Sequence, residues 1–418
     1  MVKASALYIV IVIALVIALL CSSLIGAAYF YRLQYQQKLR YDVLGTNLQS
    51  AVNLLLATDE DLSKGKKSDL FGSGRDSVFL KKLTWGVYDV CIAEAFVQKD
   101  TLFKVFSTAN PIDSTKWGAL YVIDEDRPLS VSGKTLIRGN AFIPKAGVRE
   151  AYVDNKAYEG DKRIIQGQTK NSDKKLPGLN NTRLKAIQAL FTLTPTDSTL
   201  LNDSLTISFR SAPRVFYLRK QNISLQNCKL SGNIMIRSDS TVTIDSTCKL
   251  QGIIIAAKAI ALKNGFRGTC QLFARDSISI GSNCSLDYPS SIGVVRSDDE
   301  VVKQQEKIAV GQNSRIQGIA FTFEKKEADI KPIISLEKNV KIYGNIYSQG
   351  LLNYKDGVAV YGNVFTSRFL YQTTFTRYEN YLINITLDAS KLSHYYLSSD
   401  LLPISTSKRK ILQWIESN

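Results

Sequence analysis

Residues 4–31 carry no charge, and residues 6–30 read ALYIVIVIALVIALLCSSLIGAAYF. At 1.5 Å per residue an α-helix of that length spans roughly 37 Å, more than the ~30 Å hydrocarbon core of a bilayer. Tyr8 and the cluster Tyr29, Phe30 and Tyr31 sit near its two ends, where aromatic rings favour the lipid–water interface. A cleaved secretory signal has a much shorter apolar core of about 7–15 residues. The small residues Gly26, Ala27 and Ala28 offer a cleavage site, but the length predicts a retained transmembrane helix over residues 6–30.

The apolar pattern then changes period without breaking. Leu33, Leu39, Val43, Leu44, Leu48, Val52, Leu55 and Leu56 recur mostly three and four apart, which is one face of an α-helix. Gly45 is the only weak point, at about 1 kcal/mol against Ala. One helix is therefore expected to run through residues 1–57 as transmembrane anchor and neck. Lys3 precedes the apolar run, and Arg32, Lys38 and Arg40 follow it. A literal positive-inside count keeps the remainder in the cytoplasm, but large C-terminal domains translocate largely regardless of such counts.

Residues 58–76 are rich in Gly, Ser and mixed charge and read as a linker. Partial alternation over 84–96 and 101–107, with a further strand over 117–123, predicts an antiparallel β region across 77–127.

From there a repeat governs the chain: small residue, any, aliphatic, any, Gly, any, aliphatic. Cys228–Leu230–Gly232, Cys248–Leu250–Gly252, Ser314–Ile316–Gly318, Val340–Ile342–Gly344 and Val358–Val360–Gly362 are full copies. Cys270 and Cys284 begin degenerate copies, and an outlying copy starts at Thr135. Successive spacings from Cys228 are 20, 22, 14, 30, 26 and 18 residues. Short alternating strands lie between the copies. A period near 20 residues with Gly corners is the pattern of a β-solenoid. The 14-residue spacing puts either Cys270 or Cys284 out of column, and the two long spacings predict loop insertions. Asn follows the repeat Gly four times, which suggests an asparagine ladder. The predicted fold is mainly β: a transmembrane and neck helix, the antiparallel region, a first coil with a helical insertion over 128–221 (the helix near 180–193), a β-solenoid (β-helix) over 222–370, and a cap over 371–418 ending in a short helix at 407–416.

Composition narrows the chemistry. There are 53 Lys and Arg against 37 Asp and Glu, a formal charge of +16, and one His. A lone His leaves no multi-His metal site, and no phosphate-loop, dinucleotide or nucleophile-elbow motif occurs, so no metal, cofactor or catalytic residue is expected. The best carboxylate candidates, Asp298, Asp299 and Glu300, are adjacent on one loop, whereas glycoside hydrolysis needs two acids across the scissile bond. Basic clusters at 162–175 and 408–410 suit an acidic polysaccharide, lipid headgroups or an acidic protein. Without interleaved stacking aromatics they do not suit nucleic acid. The repeat cysteines read as a reduced, inward column, since stacked neighbours rarely have disulfide geometry and no paired zinc spacing occurs.

Two resemblances follow. Residues 1–57, a charge-poor helix that continues as an amphipathic stalk, resemble type IV pilins and pseudopilins. They depart from them in having no acid before Asp42 and no Gly before a Phe or Met at the processing site. The repeat over 222–366 is similar to bactofilin-type polymer-forming β-helices. Together they imply a non-enzymatic, single-pass protein of the bacterial inner membrane with its bulk in the periplasm, working with protein partners in a pilus- or secretion-type assembly. The alternatives are a membrane-tethered β-helix that binds or cleaves carbohydrate, and a cytoplasm-facing bactofilin-like scaffold.

Overall fold

The computed structural model describes residues 3–72, 74, 76–196, 204–219, 223–296, 305–326 and 328–418. The chain forms two compact units, one from residues up to 82 with 91–105 and 415–418, the other from 83–90 and 106–414.

In the first unit a single helix, α1 (Lys3–Ala57), runs unbroken through Gly45. Leu44, Leu48, Ala51, Val52 and Leu55 are buried, whereas Leu33, Leu39 and Val43 of the expected apolar face are exposed. Polar ties fix this end of the helix within its unit. Arg40 Nε donates to Asp100 Oδ2 at 2.7 Å, and Asn47 donates to Asp76. The expected linker is partly ordered, since Lys66–Ser68 pairs antiparallel with residues 78–80.

The antiparallel sheet takes the strands Lys66–Ser68, Asp76–Trp85, Tyr88–Val97, Asp100–Pro111 and Leu397–Ser398 in that order, and Lys410–Ser417 also pairs with Asp100–Pro111. Residues 407–416 are thus not the short helix expected. Ile411, Leu412, Trp414 and Ile415 have helical spacing, but Phe106 takes the Trp414 ring at 5.3 Å, and tertiary pairing overrides so short a pattern. Leu120–Val122, read as part of this sheet, pairs instead with the parallel stack.

The second unit is a parallel, solenoid-like stack with three faces. On its second face eleven strands follow one another among the described residues: Arg214–Leu218, Ile234–Ser238, 253–257, 270–274, 291–294, 319–324, 345–348, 363–366, Leu120–Val122, Ala141–Ile143 and Thr169–Asn171. Ten steps of about 4.8 Å make a stack about 48 Å long. The order in space is not the order in sequence. Residues 129–171, the start of the first coil expected over 128–221, form the far end together with Leu120–Val122, beyond residue 371. Tyr381–Ile383 and Thr386–Asp388 pair with Leu129–Ser132 and Leu136–Arg138, so 371–418 contributes a tier there rather than a terminal cap.

One strap makes this order possible. After Asn171 the chain returns along the second face to the first tier. Tyr121 and Tyr347 hydroxyls donate to the Lys175 and Pro177 carbonyls, Arg275 lies over Phe191, and Arg237 donates to the Leu193 carbonyl. The expected helical insertion is the middle of this strap. Helix α2 (Asn181–Ala189) is capped by the Asn180 side chain, which accepts from Thr182 N. Beneath the strap lies an aromatic ladder of register partners, Phe142, Tyr121, Phe365, Tyr347 and Phe321. Gly293 stands between Phe321 and Phe273, and a side chain there would overlap the Phe321 ring.

Candidate functional site

The repeat residues are placed by register. Leu230, Leu250, Leu286, Ile316, Ile342, Val360, Leu387 and Ile137 form one inward column on the first face, with Gly268 between Leu250 and Leu286. The side chains of this column are buried, each worth about 1.5–3 kcal/mol on leaving water. Gly232, Gly252, Gly318, Gly344 and Gly362 all turn the chain at positive φ. At Gly344 and Gly362 there is no room as well. A Cβ would sit on the carbonyl oxygen of Gly318 or Gly344 in the tier before.

A second corner carries the regularity that the repeat only hinted at. Asn227, Asn283, Asn313, Asn339 and Asn384 have left-handed φ of 51–60°, each just before a buried corner residue. Among them a ladder forms. Asn313 Nδ2 donates to Asn283 Oδ1 at 3.4 Å and Asn339 Nδ2 to Asn313 Oδ1 at 3.2 Å. The asparagines after glycine behave differently. Asn345 and Asn363 are register partners, but Asn345 donates to Ser398 Oγ at 3.0 Å and Asn363 to the Gly118 carbonyl.

Cys228, Cys248 and Cys284 share a corner column with Phe266 between the second and third. Cys270 is the one out of column, on the second face opposite Ile253 and Ser290. None of the six cysteines is in a disulfide. Burial pushes Cys270 up to about 12, which keeps it protonated and inert.

Two buried charged clusters stand out. Arg183 donates to Asp89 Oδ1 at 2.7 Å, to Asp400 at 2.8 and 3.0 Å, and to the Tyr88 carbonyl at 2.9 Å. Burial alone would lower its pKa, but the two carboxylates outweigh burial and hold it above its ordinary value. Glu306 is also buried, with Arg296 Nη1 3.2 Å from Oε1. Burial first, then Glu324, pushes Glu306 up to about 8 against the opposing pull of Arg296. No motif signals either cluster: Asp89, Arg183 and Asp400 are far apart along the chain, and Arg296, Glu306 and Glu324 meet only because successive tiers stack. The carboxylates singled out from sequence, Asp298, Asp299 and Glu300, lie outside the described residues.

A cavity of about 370 Å³ opens within the second unit, where the connection before Leu120–Val122 meets the segment after Thr386–Asp388. Trp117, Asn140, Asn363, Ser393, His394 and Tyr396 are among its lining. Among the described residues, none that lines it is a carboxylate, Lys or Arg. It offers amides, hydroxyls, an imidazole and an indole. The basic clusters are solvent-facing: Lys162, Arg163, Lys170, Lys174, Lys175, Lys408 and Lys410 are exposed.

Only α1 has the length and apolarity to cross a membrane among the described residues, and none of its most apolar 18-residue window is buried. Leu7, Ile13, Leu20, Ile25 and Phe30 are each more than half exposed. Soluble monomers rarely expose contiguous apolar patches larger than a few hundred Å².

No family model matches the chain, and no curated protein matches it. Among solved structures, the competence-associated pilin ComZ from Thermus thermophilus aligns over 87% of this chain and 86% of that one, at 9% identity and a TM-score of 0.25. A superposition that loose carries no argument about fold or activity.

Proposed function

We propose that this chain is a non-enzymatic, single-pass assembly protein of the bacterial cell envelope. Residues 6–30 hold it in the inner membrane, and the bulk of the chain lies on the periplasmic side, where its solenoid-like stack presents a rigid surface to protein partners. The observation that carries this reading is α1 itself. Residues 6–30 are apolar and unburied, while one face of the helix from Leu44 onward is buried within a folded unit, to which Arg40 and Asn47 tie it. The pilin-like resemblance of residues 1–57 supports placement in a pilus- or secretion-type assembly. Two measurements test it. The full chain is expected in the alkaline-carbonate-resistant membrane fraction, and a chain lacking residues 3–31 in the supernatant. A cysteine placed at the exposed Ser407, in a background without the native cysteines, is expected to react with a membrane-impermeant maleimide before the inner membrane is lysed. Reaction only after lysis would overturn the periplasmic placement and favour the cytoplasm-facing scaffold.

A second reading is favoured by the cavity around Trp117. An indole beside amides and hydroxyls suits a neutral saccharide, and the exposed lysines suit acidic polysaccharide chains. Binding of envelope glycan that Trp117→Ala abolishes, with the fold intact, would select the carbohydrate-binding alternative.

A further inference from the structure

We propose that Cys228 and Cys248 are an oxidisable pair that closes as a disulfide between consecutive tiers of the stack. Lys229 and Lys249 are register partners, so the residues just before them stack, and Lys249 N donates to the Cys228 carbonyl at 2.7 Å. Neighbouring strands run about 4.8 Å apart, inside the Cα separations of roughly 4.4–6.8 Å that disulfides adopt. The two Sγ atoms are 2.9 Å apart, about 0.9 Å more than an S–S bond. The expectation that stacked cysteines lack the geometry therefore fails at this pair.

Register denies the same approach to the other repeat cysteines. Cys284 stacks between Phe266 and Ser314, and its backbone N–H donates to Ser314 Oγ at 3.0 Å. Cys270 stacks between Ile253 and Ser290.

The oxidant class is a small external disulfide. Cys228 is 7% exposed and Cys248 1%, so exchange starts at Cys228. Its thiolate attacks the external disulfide, forms a mixed disulfide and releases one small thiol, which takes up the proton Cys228 gave. Cys248 then loses its proton and displaces the second small thiol, which takes that proton. Two protein S–H bonds and one external S–S bond become one protein S–S bond and two small-molecule thiols.

The test uses the full chain in detergent micelles, incubated with oxidised glutathione, then unfolded and alkylated with N-ethylmaleimide. Intact mass is expected to show four of the six cysteines alkylated. Trypsin cuts between the two residues at Lys229 and Arg237, so an unreduced digest should join the peptides carrying Cys228 and Cys248 and separate them on reduction. Cys228→Ser and Cys248→Ser should each leave every remaining cysteine alkylated. Six alkylated cysteines after both oxidised glutathione and the smaller oxidant diamide would overturn the proposal. So would a glutathione adduct that persists on Cys228, or a bond joining any other pair.

Discussion

Asn339 donates through Nδ2 to Asn313 Oδ1 at 3.2 Å, and both residues hold left-handed backbone, φ 60° and 56°. Each does two jobs at the corner: it adopts a conformation that other L-residues resist, and it bonds the tier before. The jobs separate by substitution. Asn313→Ala should cost about 1–2 kcal/mol for the left-handed backbone, plus about 1 kcal/mol for the lost bonds. Asn313→Gly should cost only the bonds. The check is the urea midpoint of the two variants, with Gly expected above Ala. The reverse order would sink the account.

Glycine at the opposite corner is held by space as well as by φ. Gly344→Ala would drive a Cβ onto the Gly318 carbonyl oxygen, whereas a Cβ at Gly252 meets nothing within 4 Å among the described residues. Gly252→Ala is therefore expected to cost about 1–2 kcal/mol from its φ of 65° alone. Gly344→Ala should lower the melting temperature several times further. Equal losses would show that the tiers slide apart easily.

The Arg183 clamp joins α2 to Tyr88, Asp89 and Asp400. Arg183→Ala leaves the buried Asp89 carboxylate without its guanidinium, and breaking a buried pair typically costs about 3–5 kcal/mol. Arg183→Met keeps the length and should lose nearly as much, because charge rather than packing satisfies Asp89. Asp89→Asn with Arg183→Met should recover part of the loss. Denaturation of the four chains as a double-mutant cycle measures it.

Much of this architecture is legible in the sequence, because the alternation inside a coil and the glycine at its corner are local. So are the helix of residues 3–57 and the helix near 180–193. What is not legible is order in space. Nothing near Thr135 says that its copy stacks after Ile385 rather than before Cys228, since that depends on pairings about 250 residues apart. Cys270 and Cys284 both look like column members because x-Leu follows each and both lack the repeat glycine, so the 14-residue spacing says that one is out of column but not which. The repeat suggests a ladder after its glycines, but Asn345 and Asn363 bond to packed segments, and the ladder stands at the corner where left-handed backbone favours Asn. Arg183, Asp89, Glu306 and Glu324 gave no pattern, because charged pairs leave none when folding alone brings them together.

Glu306 makes stability fall as pH rises. Its folded pKa of about 8 lies above the ordinary Glu value near 4.3. Between those values the folded chain holds a proton that the unfolded chain has lost, so the slope of unfolding free energy against pH is negative. The contribution is complete below about pH 4 and is lost as pH rises through about 8, at no more than roughly 1.4 kcal/mol per pH unit. Arg296, Glu324 and Asp276 face the same group and set how steep it is. Glu306→Gln mimics the protonated form. The gap in melting temperature, variant minus parent, should be near zero at pH 5 and positive at pH 8. A gap that does not change with pH would place the carboxyl in water.

The apolar half of α1 yields the sharpest separation of anchor from fold. Val16 sits in the middle of the apolar stretch and is about half exposed, so it is no part of a buried core. An Asp near the centre of a transmembrane helix costs about 2.5–3.5 kcal/mol by insertion scales, whereas in water it would relieve an exposed apolar surface. Val16→Asp with Ile13→Asp should therefore move a large share of the protein from the membrane pellet to the soluble fraction. The urea midpoint of the soluble units should stay unchanged, because residues 13 and 16 lie well before the buried face that begins at Leu44. Val52→Asp makes the opposite case. Val52 is fully buried, so its charge would destabilise the first unit and leave membrane retention intact. If Val52→Asp released the protein while the double Asp variant did not, the neck rather than residues 6–30 would be the anchor.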